Sequence, residues 1–229
     1  MRYKPKHYYT WSANIAYTVG LIASDGCLQK DQRHIDLTSV DMEQLNNFRL
    51  AIGRPLPITK KFNGTGQPAF RIQFSDGGYY DFLLAAGLTP AKSKTISQLT
   101  VPDQYYADFL RGLFDGDGSC YGYMDPRWRS SFMFYVAFTS ASLDFIHYLR
   151  AANSRICGVT PGSIRKSTRA YALVYAKNDS HKLYHFMYYA PGLLCLTRKH
   201  KKLLAFTRRD RAGIISTSSA SGEMVNTLP

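Results

Sequence analysis

Two stretches, TVGLIASDG at residues 18–26 and LRGLFDGDG at residues 110–118, decide how this chain folds. In the first, Ala16, Gly20 and Ser24 recur every four residues; in the second, Gly112 and Gly116 do. On a helix this spacing strips one face of side chains, so two such helices can bring their backbones unusually close. The two stretches are therefore expected to pack on each other. If they run in parallel, Asp25 and Asp117, each one residue before a glycine expected to end its helix, arrive side by side. That placement is costly, because each carboxylate faces the negative end of a helix dipole and each repels the other. Either one takes up a proton or a cation sits between them. Two hard oxygen ligands at a site open to phosphate suit Mg²⁺ (or Mn²⁺) and point to metal-assisted phosphodiester chemistry. Asp115, whose counterpart is Ala23, reads as a surface or supporting residue.

Outward from these stretches the chain repeats itself. The first copy continues as RHIDLTSVDMEQLNNF from Arg33, AFRIQFSD from Ala69 and YYDFLLAAGLTPAKSK from Tyr79. The second answers with FYVAFTSASLDFIHYL from Phe134, YALVYAKND from Tyr171 and LYHFMYYAPGLLCLTRKHKK from Leu183. Helical spacing gives way to period-two alternation and back in the same order, which predicts αββαββα twice and an α+β fold of two pseudosymmetric halves. Asp41 and Ser142, each after a Thr-Ser pair, are placed to cap the internal helices. The expected organisation is an N-terminal half over 1–94, a linker over 95–104, a C-terminal half over 105–211 and a loose polar tail over 212–229.

Twenty-nine Lys and Arg against sixteen Asp and Glu leave a net charge of +13, which argues for a polyanionic partner, namely nucleic acid. No run approaches eighteen apolar residues and the N-terminus lacks the apolar stretch of a secretory signal, so neither membrane insertion nor secretion is expected. Cys27, Cys120, Cys157 and Cys195 lie far apart without metal-ligand spacing, so reduced thiols are expected rather than zinc or a disulfide framework.

Both glycine-aspartate stretches resemble the signature of the LAGLIDADG homing endonucleases in their single-chain, two-motif form, and the flanking element order extends the resemblance from about residue 13 to 211. The first motif has Ala23-Ser24 where an acidic-small pair is common. The resemblance implies that the motif helices form the interface between halves and that each half presents a curved antiparallel sheet to duplex DNA. It implies that Asp25 and Asp117 bind the divalent metal. It also implies a lysine just ahead of the last helix of each half, beside the scissile phosphates. Matching LTPAKSK to CLTRKHK puts Lys92 and Lys199 there, with Lys94 and Lys201 as rivals. Such a lysine would stabilise transition-state charge or polarise the attacking water. Ser39 and Ser140 match positions where the family often carries a polar side chain of the active-site water network, and helix capping is the other reading of both.

Strand parity splits FRIQF into Phe70, Ile72 and Phe74 on one face and Arg71 and Gln73 on the other. Arg and Gln can bond guanine and adenine edges bidentately in the major groove. The same parity turns Gln29 and His34 toward DNA in the first half, and Tyr121, Tyr123, Tyr135, Thr139, Ser163 and Arg165 in the second. Arg127 and Arg129 are expected to reach further along the duplex. The basic run from Arg198 through Lys201 to Arg211 is expected to follow phosphates. The reading is a monomeric, metal-dependent, site-specific DNA endonuclease cutting an asymmetric site. By the resemblance it leaves 3′ overhangs and is encoded in an intron or a mobile element. The alternatives are an intron-RNA-binding maturase and a DNA-binding regulator without nuclease activity. Bacterial or archaeal cytoplasm, or an organelle matrix, is the expected location.

Overall fold

The first glycine stretch forms helix α1 (Ala13–Asp25) and the second forms α4 (Tyr106–Asp117). A computed structural model describes residues 8–62, 66–127 and 131–220, with side chains described as far as 210. Ser12 caps α1 by accepting a hydrogen bond from the Ile15 amide at 3.2 Å. A methyl group on Gly20 would lie 2.2 Å from the Phe109 carbonyl oxygen, and one on Gly112 would lie 2.2 Å from that of Tyr17. Gly116 instead faces the side chains of Ser24 and Asp25. Residues 17 to 25 thus meet residues 109 to 116 in ascending order, so the two helices are parallel and touch backbone to backbone. Gly26 and Gly118 end them with extended backbone, not with a left-handed turn. They are glycines for lack of space, since a Cβ would stand 2.7 Å from Ile22 Cα and 2.5 Å from Phe114 Cα.

Each helix feeds directly into a four-stranded antiparallel sheet. The first sheet comprises β1 (Gly26–Leu28), β2 (His34–Ser39), β3 (Thr59–Phe62) and β4 (Pro68–Ser75) in the order β1-β2-β4-β3. The second comprises β5 (Gly118–Met124), β6 (Phe132–Ser140), β7 (Ser163–Lys166) and β8 (Tyr171–Tyr175) in the equivalent order β5-β6-β8-β7. Helices α2 (Met42–Ile52) and α3 (Gly77–Ala85) complete the first half, and α5 (Leu143–Cys157) and α6 (Lys177–Met187) the second. Alternate strand residues, among them Ile35, Leu37, Ile72, Phe134, Val136 and Leu173, are buried against these helices in one core that runs across both halves. The fold is the expected pseudosymmetric α+β arrangement.

The copies diverge at their ends. After α3 the first half has only a short 3₁₀ turn at Lys92–Lys94, whereas the second continues into a long helix α7 (Thr197–Ala220). Its backbone is helical past residue 212, where a loose tail was expected; extending an established helix adds a hydrogen bond per residue without a new nucleation cost. The first part of α7 is anchored by Asp210, which pairs with Lys177 at 2.7 Å and His181 at 2.9 Å.

Candidate active site

The parallel seam delivers Asp25 and Asp117 to one end of the molecule, at the last residues of their helices. Asp25 is half-buried and accepts a hydrogen bond from Gln44 Nε2 at 2.6 Å; Gln44 in turn accepts from Ser39 Oγ at 2.7 Å, and Ser39 Oγ accepts from the Asp41 amide at 3.0 Å. Gln44, 3% exposed on α2, was not singled out by sequence reading. Its signal was a polar residue on the buried side of an amphipathic helix. At the equivalent place in the second half stands buried Phe145, and Asp117 accepts no side-chain hydrogen bond among the described residues. Ser140 serves only locally, its Oγ accepting from the Ser142 amide at 3.1 Å.

Two lysines flank the carboxylates. Lys92, 5% exposed, donates to the Ser24 carbonyl at 3.4 Å. Lys199 donates to the carbonyls of Phe114, Gly116 and Gly118 at 2.8, 2.6 and 2.6 Å. Ser24 and Gly116 are equivalent motif positions, so the lysines cap equivalent helix ends, where a cation offsets the dipole's negative pole. The surroundings differ from the expected placement just ahead of a helix: Lys92 lies in the 3₁₀ turn and Lys199 within the first turn of α7. Lys94 and Lys201 are exposed.

Burial raises the Asp25 pKa, with Gln44, Lys199 and Lys92 pulling the other way. Asp117 is exposed as a whole residue, yet the protein packed around its carboxyl, then the charge of Asp25, lifts it to about 6 against the opposing pull of both lysines. Desolvation also lowers the pKa of Lys92 and Lys199. Asp115 is not a surface residue. At 1% exposure it accepts from the Tyr17 hydroxyl at 2.7 Å and the Leu196 amide at 2.8 Å, tying α4 to α1 and to the approach to α7. Burial pushes it to about 6 as well. A cleft of about 320 Å³ opens here, lined by Asp25, Ser39, Gln44, Gly116 and Arg198 among others.

Strand parity places Arg71 and Gln73 on the outer face of the first sheet with His34, while Gln29 lies just beyond β1. Arg71 is paired with Asp36, and His34 with Asp31. In the second sheet Tyr121 and Tyr135 stack at 5.1 Å and Tyr123 and Tyr135 at 6.0 Å, while Arg165 donates to the Tyr121 hydroxyl at 3.1 Å. Thr139 and Ser163 share that outer face. Arg127 is exposed and bonded to Asp125; Arg129 lies outside the described residues. Arg198 is engaged with Asp41 across the two halves at 2.6 Å, and Lys201 is exposed on α7. Cys27 is exposed on the first outer face, whereas Cys120 is buried.

No family model matches the chain, and no curated protein matches it. Solved structures do. The homing endonuclease I-WcaI bound to its DNA recognition sequence superposes with a TM-score of 0.58 at 13% identity, covering 87% of this chain and 89% of that one. The chain has the LAGLIDADG fold. The meganuclease I-SmaMI bound to uncleaveable DNA gives a TM-score of 0.56 at 13% identity over 92% of this chain and 98% of that one. Full-length DUF199/WhiA from Thermatoga maritima gives 0.56 at 12% identity over 97% of this chain, which spans 65% of the WhiA chain. At these identities the likeness is one of LAGLIDADG fold. Among the described residues, no helix is long and apolar enough to cross a membrane.

Proposed function

We propose that this protein is a site-specific double-strand DNA endonuclease that hydrolyses one phosphodiester on each strand of a long asymmetric site, leaving 3′ overhangs. The observation that carries the reading is the pair of carboxylates brought together as the last residues of two parallel helices, each helix end capped by a lysine. The LAGLIDADG fold also serves WhiA, so the fold by itself does not require cleavage; the paired carboxylates argue for it. A pure binding protein gains nothing from holding two repelling carboxylates at the ends of adjacent helices.

The donor set fits a divalent cation: two hard oxygen donors, both raised in pKa, one of them without a hydrogen-bond partner among the described residues. Asp25 and Asp117 would hold Mg²⁺ or Mn²⁺, which when bound supplies Lewis-acid polarisation of the phosphate and charge neutralisation. Gln44 fixes the direction of the Asp25 carboxylate and favours its ionised form against the opposing effect of burial. Lys199 uses all three ammonium protons on backbone carbonyls, so its part is electrostatic, adding positive charge that favours the ionised forms of Asp115, Asp25 and Asp117. Lys92 makes a single long bond and keeps donors for a phosphate oxygen or the attacking water. One chain supplies both halves, so a monomer suffices. The outer sheets, with the net charge of +13, form the duplex surface.

The test is cleavage of a randomised duplex library by wild type and Asp117→Asn, each with Mg²⁺ and with Ca²⁺, sequencing the cut ends. Discrete Mg²⁺-dependent cuts sharing one asymmetric motif and lost in the variant support the reading; binding of the library without cutting overturns it. Intron RNA binding is the second reading, favoured by the exposed tyrosine stack, since unpaired bases stack on such rings. Bound but uncut DNA would move the assay to splicing.

A further inference from the structure

The middle of the first outer sheet face contains a buried carboxylate where a DNA-facing surface should be basic. Asp36 is 7% exposed. The strand register sets Asp36 opposite Gln73 and Thr38 opposite Arg71, so all four share the outer face. The Thr38 hydroxyl donates to Asp36 Oδ1 at 3.0 Å, and Arg71 presents both Nε and Nη2 to Asp36 Oδ2. The pair is not a requirement of the sheet, because the second sheet builds the same register with Ala137, Ala172 and Val174 at these positions.

A guanidinium has five N–H donors in a rigid plane. Asp36 occupies the Nε side and leaves the end of the fork, Nη1 and the outer Nη2 proton, as two parallel donors. That edge matches guanine O6 and N7 in the major groove. A carboxylate behind the fork holds it in one orientation before DNA arrives, which lowers the ordering cost of the contact. The location is near the chemistry: Leu37, the neighbour of Asp36, pairs with Gly26, which follows Asp25.

We infer that Asp36 is a positioning residue for sequence specificity, fixing Arg71 to read one guanine close to the cut on the first-half side, a device the second half lacks. The inference rests on the reading of the outer sheets as a duplex-DNA surface. Its test is a binding selection from a randomised duplex pool in Ca²⁺, comparing wild type, Asp36→Asn, Thr38→Val and Arg71→Ala, with thermal melting of each. Wild type should enrich a site with one strongly preferred guanine. Asp36→Asn should lower that preference about tenfold and leave every other position unchanged, and Thr38→Val should weaken the same position less. Guanine preference kept in Asp36→Asn but lost in Arg71→Ala overturns the inference, as does an equal loss at all positions; both leave the DNA-binding reading standing. A wild type that enriches no sequence removes that reading and the inference together. Should Asp36→Asn not fold, Thr38→Val decides by the same measurement.

Discussion

On the outer face of the first sheet the central positions are Asp36, Arg71 and Gln73; on the second they are Ala137, Ala172 and Val174. Towards the hairpin ends, Gln29, Asp31 and His34 in the first half stand where the second has Tyr121, Tyr123 and Tyr135. One surface offers oriented charge and amides, the other stacked rings and small apolar side chains. The inward positions, by contrast, are apolar in both halves. Burial constrains one parity of each strand and frees the other, so a duplicated fold can keep its core while its two outer faces acquire different chemistry.

The comparison can be broken outright through the seam that both halves share. Gly112→Val would place a branched side chain where even a Cβ lies 2.2 Å from the Tyr17 carbonyl oxygen, and a loss above about 4 kcal/mol is expected. Circular dichroism should show no cooperative melting; a normal transition would refute the backbone-to-backbone contact. Next in size, Asp25→Asn and Asp117→Asn should each lower Mg²⁺-dependent cleavage about 10³-fold while duplex binding in Ca²⁺ is kept. Cleavage retained in either would show that the halves do not share one centre.

The two faces should also respond differently to salt. Tyr135→Ala should weaken duplex binding about five- to tenfold with the slope of log K against log salt unchanged. Lys61→Ala, on the first outer face, should lower that slope by about 0.9. Binding titrations at several salt concentrations separate the two. The smallest effect concerns the unequal carboxylates. With a folded pKa of about 6 against an ordinary value of 3.8, Asp117 binds a proton more readily in the folded state. Stability therefore falls as pH rises from about 4 to 6, and above that the full penalty is present. In cation-free buffer at pH 8, Asp117→Asn should melt about 2–4 °C higher than wild type, an effect held down by solvent screening at this exposed residue, and the gap should close below about pH 4. Asp25→Asn should gain less, because it also disturbs the Gln44 hydrogen bond.

Much of this was legible beforehand because it rests on periodicity. The spacing of Gly20, Gly112 and Gly116 predicts the close helix seam, and strand alternation places Arg71, Gln73, Tyr121 and Tyr135 outward. Residues whose roles depend on a partner far along the chain were not legible. Gln44 reaches Asp25 across nineteen positions, Arg71 reaches Asp36 across thirty-five, and Arg198 is drawn to Asp41 rather than left free for phosphate. Asp115 reads as accessory because Ala23 is its repeat partner, yet it is buried on Tyr17 ninety-eight positions away.

The sequence alone determined the duplicated αββαββα order, the seam of small residues and the carboxylates that would meet at its end if the helices ran in parallel, because helical and strand periods and the small size of glycine act over a few residues. Only the tertiary structure decided that Gln44 serves one carboxylate and Phe145 replaces it in the other half, that Lys199 spends its protons on a helix end, and that Asp36 holds Arg71. Hydrogen bonds and ion pairs form between whichever groups packing brings within about 3 Å, and nothing in local spacing encodes that distance.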